Sequence, residues 1–300
     1  MVAGAAILAL FLAVVWHFHE ETSPDQQLAI QASRVDLVRR MQLGIASASE
    51  AEKSAVLAIT DADSTAFADQ ARAASAEVER ERQELGKLLA TGGSQREKEL
   101  LAQFSEPFAS LRRVDDEVLR LAVKNTNLKA YALAFGPAAD ALAEFDDALA
   151  RVEAKRADSP DARRVLQLAS SARIGLLRIQ SLLAPHIAEE SDAKMDRLEA
   201  TMAKAELQVR KDLDALAALP SLSGDADLAA AARRFAAYGA LKKQILALSR
   251  ENTNVRSLAL SLNQKRKAMI LCLDALSALQ QAILEEPIRG VTYGRPTSPR

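Results

Sequence analysis

The sequence predicts an all-α protein, an elongated antiparallel arrangement of two four-helix-bundle-like repeats behind one N-terminal transmembrane helix. Three observations predict it. Hydrophobic residues make up 49% of the 300-residue chain while aromatics are only 4%, a balance that favours helices over strands. Glycine and proline are scarce and gathered at a few places, so long stretches run without a breaker. The third observation is that the second half of the chain repeats the first.

Val2 to Phe18 form a run without charge, at the short end of what a spanning helix needs. Trp16 stands at its edge and Glu20 and Glu21 follow, which suits an interface and an acidic outer flank. We therefore expect residues 1–20 to be an uncleaved anchor, with the bulk of the chain outside the cytoplasm. No second stretch of similar length and apolarity is expected, so the chain is not expected to return to the cytoplasm.

Repeat 1 is expected over 25–156, repeat 2 over 160–285, and a disordered tail over 286–300. Leu119–Leu149 aligns with Leu246–Leu276, so that Asn125-Thr126-Asn127 falls on Asn252-Thr253-Asn254 and Asp147-Ala148-Leu149 on Asp274-Ala275-Leu276. Upstream, Ala76–Leu85 matches Ala205–Leu213 more loosely. Turn chemistry appears at Thr91-Gly92-Gly93-Ser94, at Ser159-Pro160 and over Pro220–Asp225.

Between these turns, apolar residues recur at three and four. The seam reads Leu111, Val114, Val118, Leu121, Leu128, Phe135, Leu142, Phe145, Leu149 and Val152 in repeat 1. Repeat 2 answers with Leu241, Ile245, Leu248, Val255, Leu262, Met269, Leu276 and Ile283. Arg80, Glu81, Arg82 and Glu84, and likewise Lys265, Arg266 and Lys267, read as solvated surface.

Counting helical rise outward from the turns at Gly92 and Leu222 brings four polar clusters to one height: Thr60–Ser64, Asn125–Asn127, Glu189–Asp192 and Asn252–Asn254. Two structures explain the layer. Each cluster can be a turn, giving helices of about 28 residues, near 42 Å, or the arms can be continuous helices of about 60 residues. The phase slip around Asp61, the kink or break that Pro185 brings just before Glu189 and the capping chemistry of Asn, Thr and Asp favour turns.

Charge excludes other classes. With 39 basic and 40 acidic residues and a net charge of -1, no basic stripe exists for nucleic acid. Cys272 is the only cysteine and reads as a buried hydrophobe. His17, His19 and His186 form no metal-spaced set, and Asp61 and Asp63 lack a histidine or nucleophile nearby. The reading is non-catalytic, with no metal and no cofactor.

Leu28 to Val152 resembles the four-helix-bundle sensor domain of bacterial methyl-accepting chemotaxis receptors. The likeness rests on LAITDADSTAFADQ, LLATGGSQREKELLAQF and LAVKNTNLKAYALAFGPAADAL in their order behind the anchor. It implies a single-pass protein of the bacterial inner membrane with a periplasmic sensing module for a small polar ligand or a partner receptor, dimerising as parallel bundles. Such receptors continue through a second membrane helix into a signalling coiled coil, whereas this sequence closes on Glu285-Glu286-Pro287 and a Pro, Gly and Arg tail. The expectation is a sensing half that works through a partner, with the duplication supplying what a receptor obtains from two subunits.

Within it, Asn125, Thr126, Asn127, Asn252, Thr253 and Asn254 are the candidate ligand-binding residues, offering amides and hydroxyls. The competing reading makes them register-setting core polar groups and helix caps, in a structural spacer that docks other envelope proteins.

Overall fold

The computed structural model describes residues 23–288, which are helical with no strand among them. The proposed anchor, residues 1–20, and the end of the tail lie outside the described residues. In chain order the helices are α1 (Pro24–Leu57), α2 (Asp61–Gly92), α3 (Gln95–Ala122), α4 (Thr126–Phe135), α5 (Pro137–Lys155), α6 (Ala162–Ala188), α7 (Asp192–Ala217), α8 (Ala226–Glu251), α9 (Thr253–Leu260) and α10 (Arg266–Glu285). A short 3-10 turn, Pro220–Leu222, precedes α8, and a π turn, Ser261–Lys265, precedes α10.

Four helix starts have a side-chain cap of local origin. Ser23 and Gln26 bond reciprocally across the first turn of α1, with Pro24 at the first helical position, a capping box. Ser94 and Glu97 do the same for α3, the Glu97 carboxylate accepting from Ser94 N at 2.6 Å. Thr60 Oγ1 accepts from Asp63 N at the start of α2, and Asp225 Oδ1 accepts from Asp227 N and Leu228 N at the start of α8. Helix α6 runs through Pro185 and breaks just before Glu189, at the place expected. Proline so near a helix end removes one bond and leaves the turn intact.

The chain forms two compact units, and they do not coincide with the two sequence repeats. Among the described residues, unit 1 comprises 23–51, Asp69–Val114 and 264–288, and unit 2 comprises Glu52–Ala68 and Asp115–Asn263. In unit 1 the core joins Val38, Met41 and Ile45 of α1, Val78, Leu85 and Leu89 of α2, Phe104 and Phe108 of α3, and Cys272, Leu276, Leu279 and Ile283 of α10. Gln31 Nε2 donates to Ile283 O at 2.6 Å, tying α1 to the end of α10. In unit 2, α6 packs on α7, α5 on α8, α5 on α6 and α7 on α8. Their core runs through Ala134, Ala138, Phe145, Leu149, Leu176, Ile179, Leu183, Val209, Tyr238 and Ile245. Helix α10 thus completes the core built from α1, α2 and α3, and α4 and α5 lie in the core with α6, α7 and α8. Apolar periodicity names the buried face of a helix but not the helix it is buried against, which is why contiguous boundaries were the expectation.

Two glycines set close helix pairs. A Cβ on Gly44 would lie 2.5 Å from Val78 Cγ2, and one on Gly175 would lie 2.6 Å from Val209 Cγ2. The two pairs match, placing Ala74, rather than Ala76, opposite Ala205. The seam also shifts after the polar clusters. Phe135 and Leu262 are exposed, while Ala130, Ala134 and Ala138 are buried in α4 and α5 and Ser257, Ser261 and Lys265 take the matching places in α9 and the π turn. Glu81 and Lys265, expected as solvated surface, are both buried; Cys272 is buried as expected.

The helical stretch Ala226–Glu285 is long and apolar enough to cross a membrane by length and composition. Some of its apolar residues face an interior, whereas Leu258, Leu262, Ile270, Leu271 and Leu284 are exposed. Leu228, Phe235, Tyr238 and Ile245 are core residues of unit 2, and Cys272, Leu276 and Leu279 of unit 1, and Lys242 stands among them.

Candidate functional site: a polar clasp in unit 2

Helix α3 ends at Ala122 and is followed by Val123, Lys124 and Asn125 before α4, whereas α8 ends at Glu251 and Asn252 alone separates it from α9. Asn125 (φ 50, ψ 38) and Asn252 (φ 53, ψ 38) are left-handed, the only non-glycine residues with positive φ among those described. Asparagine tolerates that conformation better than any other chiral residue except aspartate. The breaks at 58–60 and 189–191 are turns, as expected. At Asn252 the interruption is a single left-handed residue, and α9 begins at Thr253.

The new helices α4 and α9 begin with N–H groups that no local side chain caps. Each is capped by the other. Thr126 N donates to Thr253 Oγ1 at 3.2 Å and Thr253 N to Thr126 Oγ1 at 3.1 Å, residues 127 apart in sequence. Asn127 N donates to Asn254 Oδ1 and Asn254 N to Asn127 Oδ1, both at 3.1 Å. The side-chain amides close the set: Asn127 Nδ2 donates to Asn252 Oδ1 at 2.8 Å and Asn254 Nδ2 to Asn125 Oδ1 at 3.0 Å. The two threonine hydroxyls lie 3.2 Å apart. Every bond has its mate with the two tripeptides interchanged, so the clasp has approximate twofold symmetry.

The other two polar clusters join it. Asn125 Nδ2 donates to Asp61 Oδ1 at 3.1 Å, and Lys129 pairs with Asp61 at 2.8 Å. Lys129, then Asn125, hold the Asp61 carboxyl below the usual carboxylate range. Asn127 Nδ2 also donates to Ile187 O at 2.7 Å, and Asn252 Nδ2 to Glu189 O at 2.8 Å. The layer read from counted helical rise is therefore assembled, and all six candidate residues are brought together. A ligand at these six would have to replace bonds that they make to each other.

One constellation beside the clasp was not foreseen. His186, fully buried, sits with Nδ1 2.8 Å from Ser249 Oγ and Nε2 2.8 Å from Glu199 Oε1. Arg250 Nε donates to Glu199 Oε1 at 2.7 Å and its Nη2 reaches Asp196. Arg250, with His186 behind it, outweighs burial and holds the Glu199 carboxyl below its usual range. A serine, histidine and carboxylate in line resemble a hydrolytic triad, but Ser249 is wholly buried and also donates to His186 O at 3.0 Å, so its oxygen is not presented to a substrate. The partners of His186 lie on two other helices, beyond any sequence spacing; the one legible signal was a lone histidine in an apolar stretch.

Further along unit 2, Gln180 bridges Tyr238 Oη (2.9 Å) and Ala134 O (2.8 Å). It supplies a donor to a carbonyl at the helix break before Gly136-Pro137, where proline has no N–H. Unit 1 has a groove lined by Leu28, Gln31, Ala32, Val35, Asp36, Arg39 and Leu284. Among the described residues no set of three or more His, Cys, Asp or Glu side chains is placed to hold a metal ion.

A scan of the chain against protein-family models gives no match, and a search of curated proteins gives none.

Proposed function

We propose that this is a membrane-anchored, extracytoplasmic sensory or accessory protein, non-catalytic, built as two four-helix bundles whose fourth helices are exchanged between the repeats. The clasp is its responsive element. The observation that carries the reading is the reciprocal capping of α4 and α9 by Thr253, Asn254, Thr126 and Asn127. Two helix starts that depend on each other's side chains rearrange together or not at all, which is the property a two-state element requires. The resemblance to chemoreceptor sensor domains gives the setting: residues 1–20 as anchor in a bacterial inner membrane, the bundles in the periplasm, and a small polar ligand or a partner receptor as the stimulus.

A thermal-shift screen of the full-length protein with organic acids, amino acids and amines tests the ligand reading. A ligand at a hundredfold excess over its dissociation constant stabilises by about 2.7 kcal/mol, a rise of a few degrees. The Asn125→Gly/Asn252→Gly variant keeps the left-handed backbone and removes two clasp amides; it should lose the rise. No rise with any class of compound counts against a ligand. The second reading, a structural spacer docking envelope proteins, is favoured by the saturation of the clasp, since a fully bonded polar layer fixes register without any ligand.

A further inference from the structure

One face of α6 is apolar and exposed. Val165, Leu168, Ala172, Leu176, Ile179 and Leu183 belong to the core of unit 2, and Gly175 packs closely on Val209 of α7. Away from them lie Leu166, Ser170, Ile174, Leu177 and Ser181, at successive steps of four, four, three and four residues. Such steps keep one stripe along a helix, about 22 Å long at 1.5 Å per residue. Leu166, Ile174 and Leu177 are 55%, 66% and 53% exposed. Three large apolar side chains in one line differ from single exposed ones scattered over a surface.

The bundle does not require this stripe. With Gly44 matched to Gly175 and Val78 to Val209, the same five places are held in α1 by Val35, Arg39, Leu43, Ala46 and Glu50. Two charges interrupt the line there, as on a solvated helix face.

The charge of α6 has one sign. From Ala162 to Ala188 it carries four arginines and no aspartate or glutamate. Asp146 and Glu153 of α5 hold Arg173. Arg164 bonds to Gln167, and neither it nor Arg163 or Arg178, all three exposed, pairs with a carboxylate among the described residues. Arg163 stands three residues before Leu166 and Arg178 four after Ile174, so both border the stripe.

These features select the occupant. Steps of three and four with serine between large side chains offer holes to the knobs of a facing helix. A second α6 would bring arginines and no carboxylate to meet them, in either orientation. A face seated on a bilayer is typically apolar throughout and includes Trp or Phe, whereas α6 has no aromatic residue and two serines in the stripe.

We propose that the exposed face of α6 docks an acidic amphipathic helix of a partner protein, its apolar side on Leu166, Ile174 and Leu177 and its carboxylates on Arg163 and Arg178. This names the chemistry of the partner and rests on the partner form of the function above, while the clasp and its ligand play no part in it.

The test uses the full-length protein in nanodiscs of zwitterionic lipid, with no ligand added. The probe is a synthetic helix of about 21 residues with Leu at a and d and Glu at e and g, compared by fluorescence anisotropy with a Lys-for-Glu version and a shuffled one. The Glu peptide should bind saturably and at least about tenfold more tightly than the other two, and more weakly as salt rises from about 0.05 to 0.5 M. Ile174→Asp/Leu177→Asp should weaken it by about tenfold or more, and Arg163→Glu/Arg178→Glu should turn the preference to the Lys peptide. An environment-sensitive dye on Ser170→Cys should respond to the Glu peptide and to nothing else. A response to anionic lipid without peptide would assign the face to a bilayer, and one that grows with protein concentration would assign it to a second copy. Either result, equal binding of the three peptides, or binding that survives both double variants overturns the proposal.

Discussion

Replacing Thr253 by valine keeps the side chain's shape and removes the hydroxyl that accepts from Thr126 N. Both residues are buried, at 4% exposure for Thr126 and 2% for Thr253, so water cannot take the oxygen's place. The expected cost is about 1–3 kcal/mol for a buried donor left unmet, with the lower part of that range matching a lost helix cap of about 0.5–2 kcal/mol. Thr126→Val should cost the same through the symmetric bond, from Thr253 N to Thr126 Oγ1. The double variant is the informative one. It orphans both N–H groups but loses the contact between the hydroxyls, 3.2 Å apart, only once. Its cost should therefore fall short of the sum of the singles by about 0.5–1.5 kcal/mol. Urea unfolding of the four proteins, compared as a double-mutant cycle, measures this. Single costs below about 0.5 kcal/mol, or additivity within about 0.3 kcal/mol, would refute reciprocal capping.

Other consequences follow from the same geometry. Gly175→Ala forces a Cβ against the stiff, branched Val209 and should destabilise unit 2 by about 1–3 kcal/mol; Gly175→Ala/Val209→Ala should recover part of the loss in thermal melts. Burial raises the pKa of Glu81 above the usual glutamate value. The folded chain then keeps that proton to higher pH than the unfolded one, so stability is full below the unfolded pKa and falls as pH rises through the folded one. Glu81→Gln should flatten that slope and stabilise the protein above neutrality, read from melting temperature against pH. Gln180→Ala removes the bridge between Tyr238 and Ala134 O and should cost about 1–3 kcal/mol, whereas an unchanged denaturation midpoint would mean that the break before Pro137 needs no donor.

Much of this was legible before any coordinates. The all-α class followed from composition, and the turns at Gly93, Pro160 and Leu222 followed from residues that favour special backbone or caps. The height of the polar layer followed from counting rise per residue. What stayed hidden depends on partners rather than patterns. The exchange of the last helices is invisible to periodicity, because α10 presents the same apolar stripe to whichever helices receive it. The slip from Leu128 and Phe135 to Ala130 and Ala134 follows the left-handed residue Asn125, and the expected seam resumes at Phe145, Leu149 and Val152 beyond the break at Gly136. Asn is compatible with that state but does not demand it. Glu81 and Lys265 looked like surface because charge usually marks it. His186 looked inert for lack of neighbours in sequence, because Glu199 and Ser249 reach it from two other helices.

The most direct measurement is residue-resolved amide exchange of Thr126 and Thr253 in the two single variants. The account predicts a crossed result: Thr253→Val strips protection from the Thr126 amide, and Thr126→Val strips it from the Thr253 amide, while Ser64 and Val165, whose N–H groups bond within their own segments to Thr60 O and Asp161 O, keep theirs. Protection lost only at the substituted residue's own helix, with the opposite helix unaffected, would contradict it.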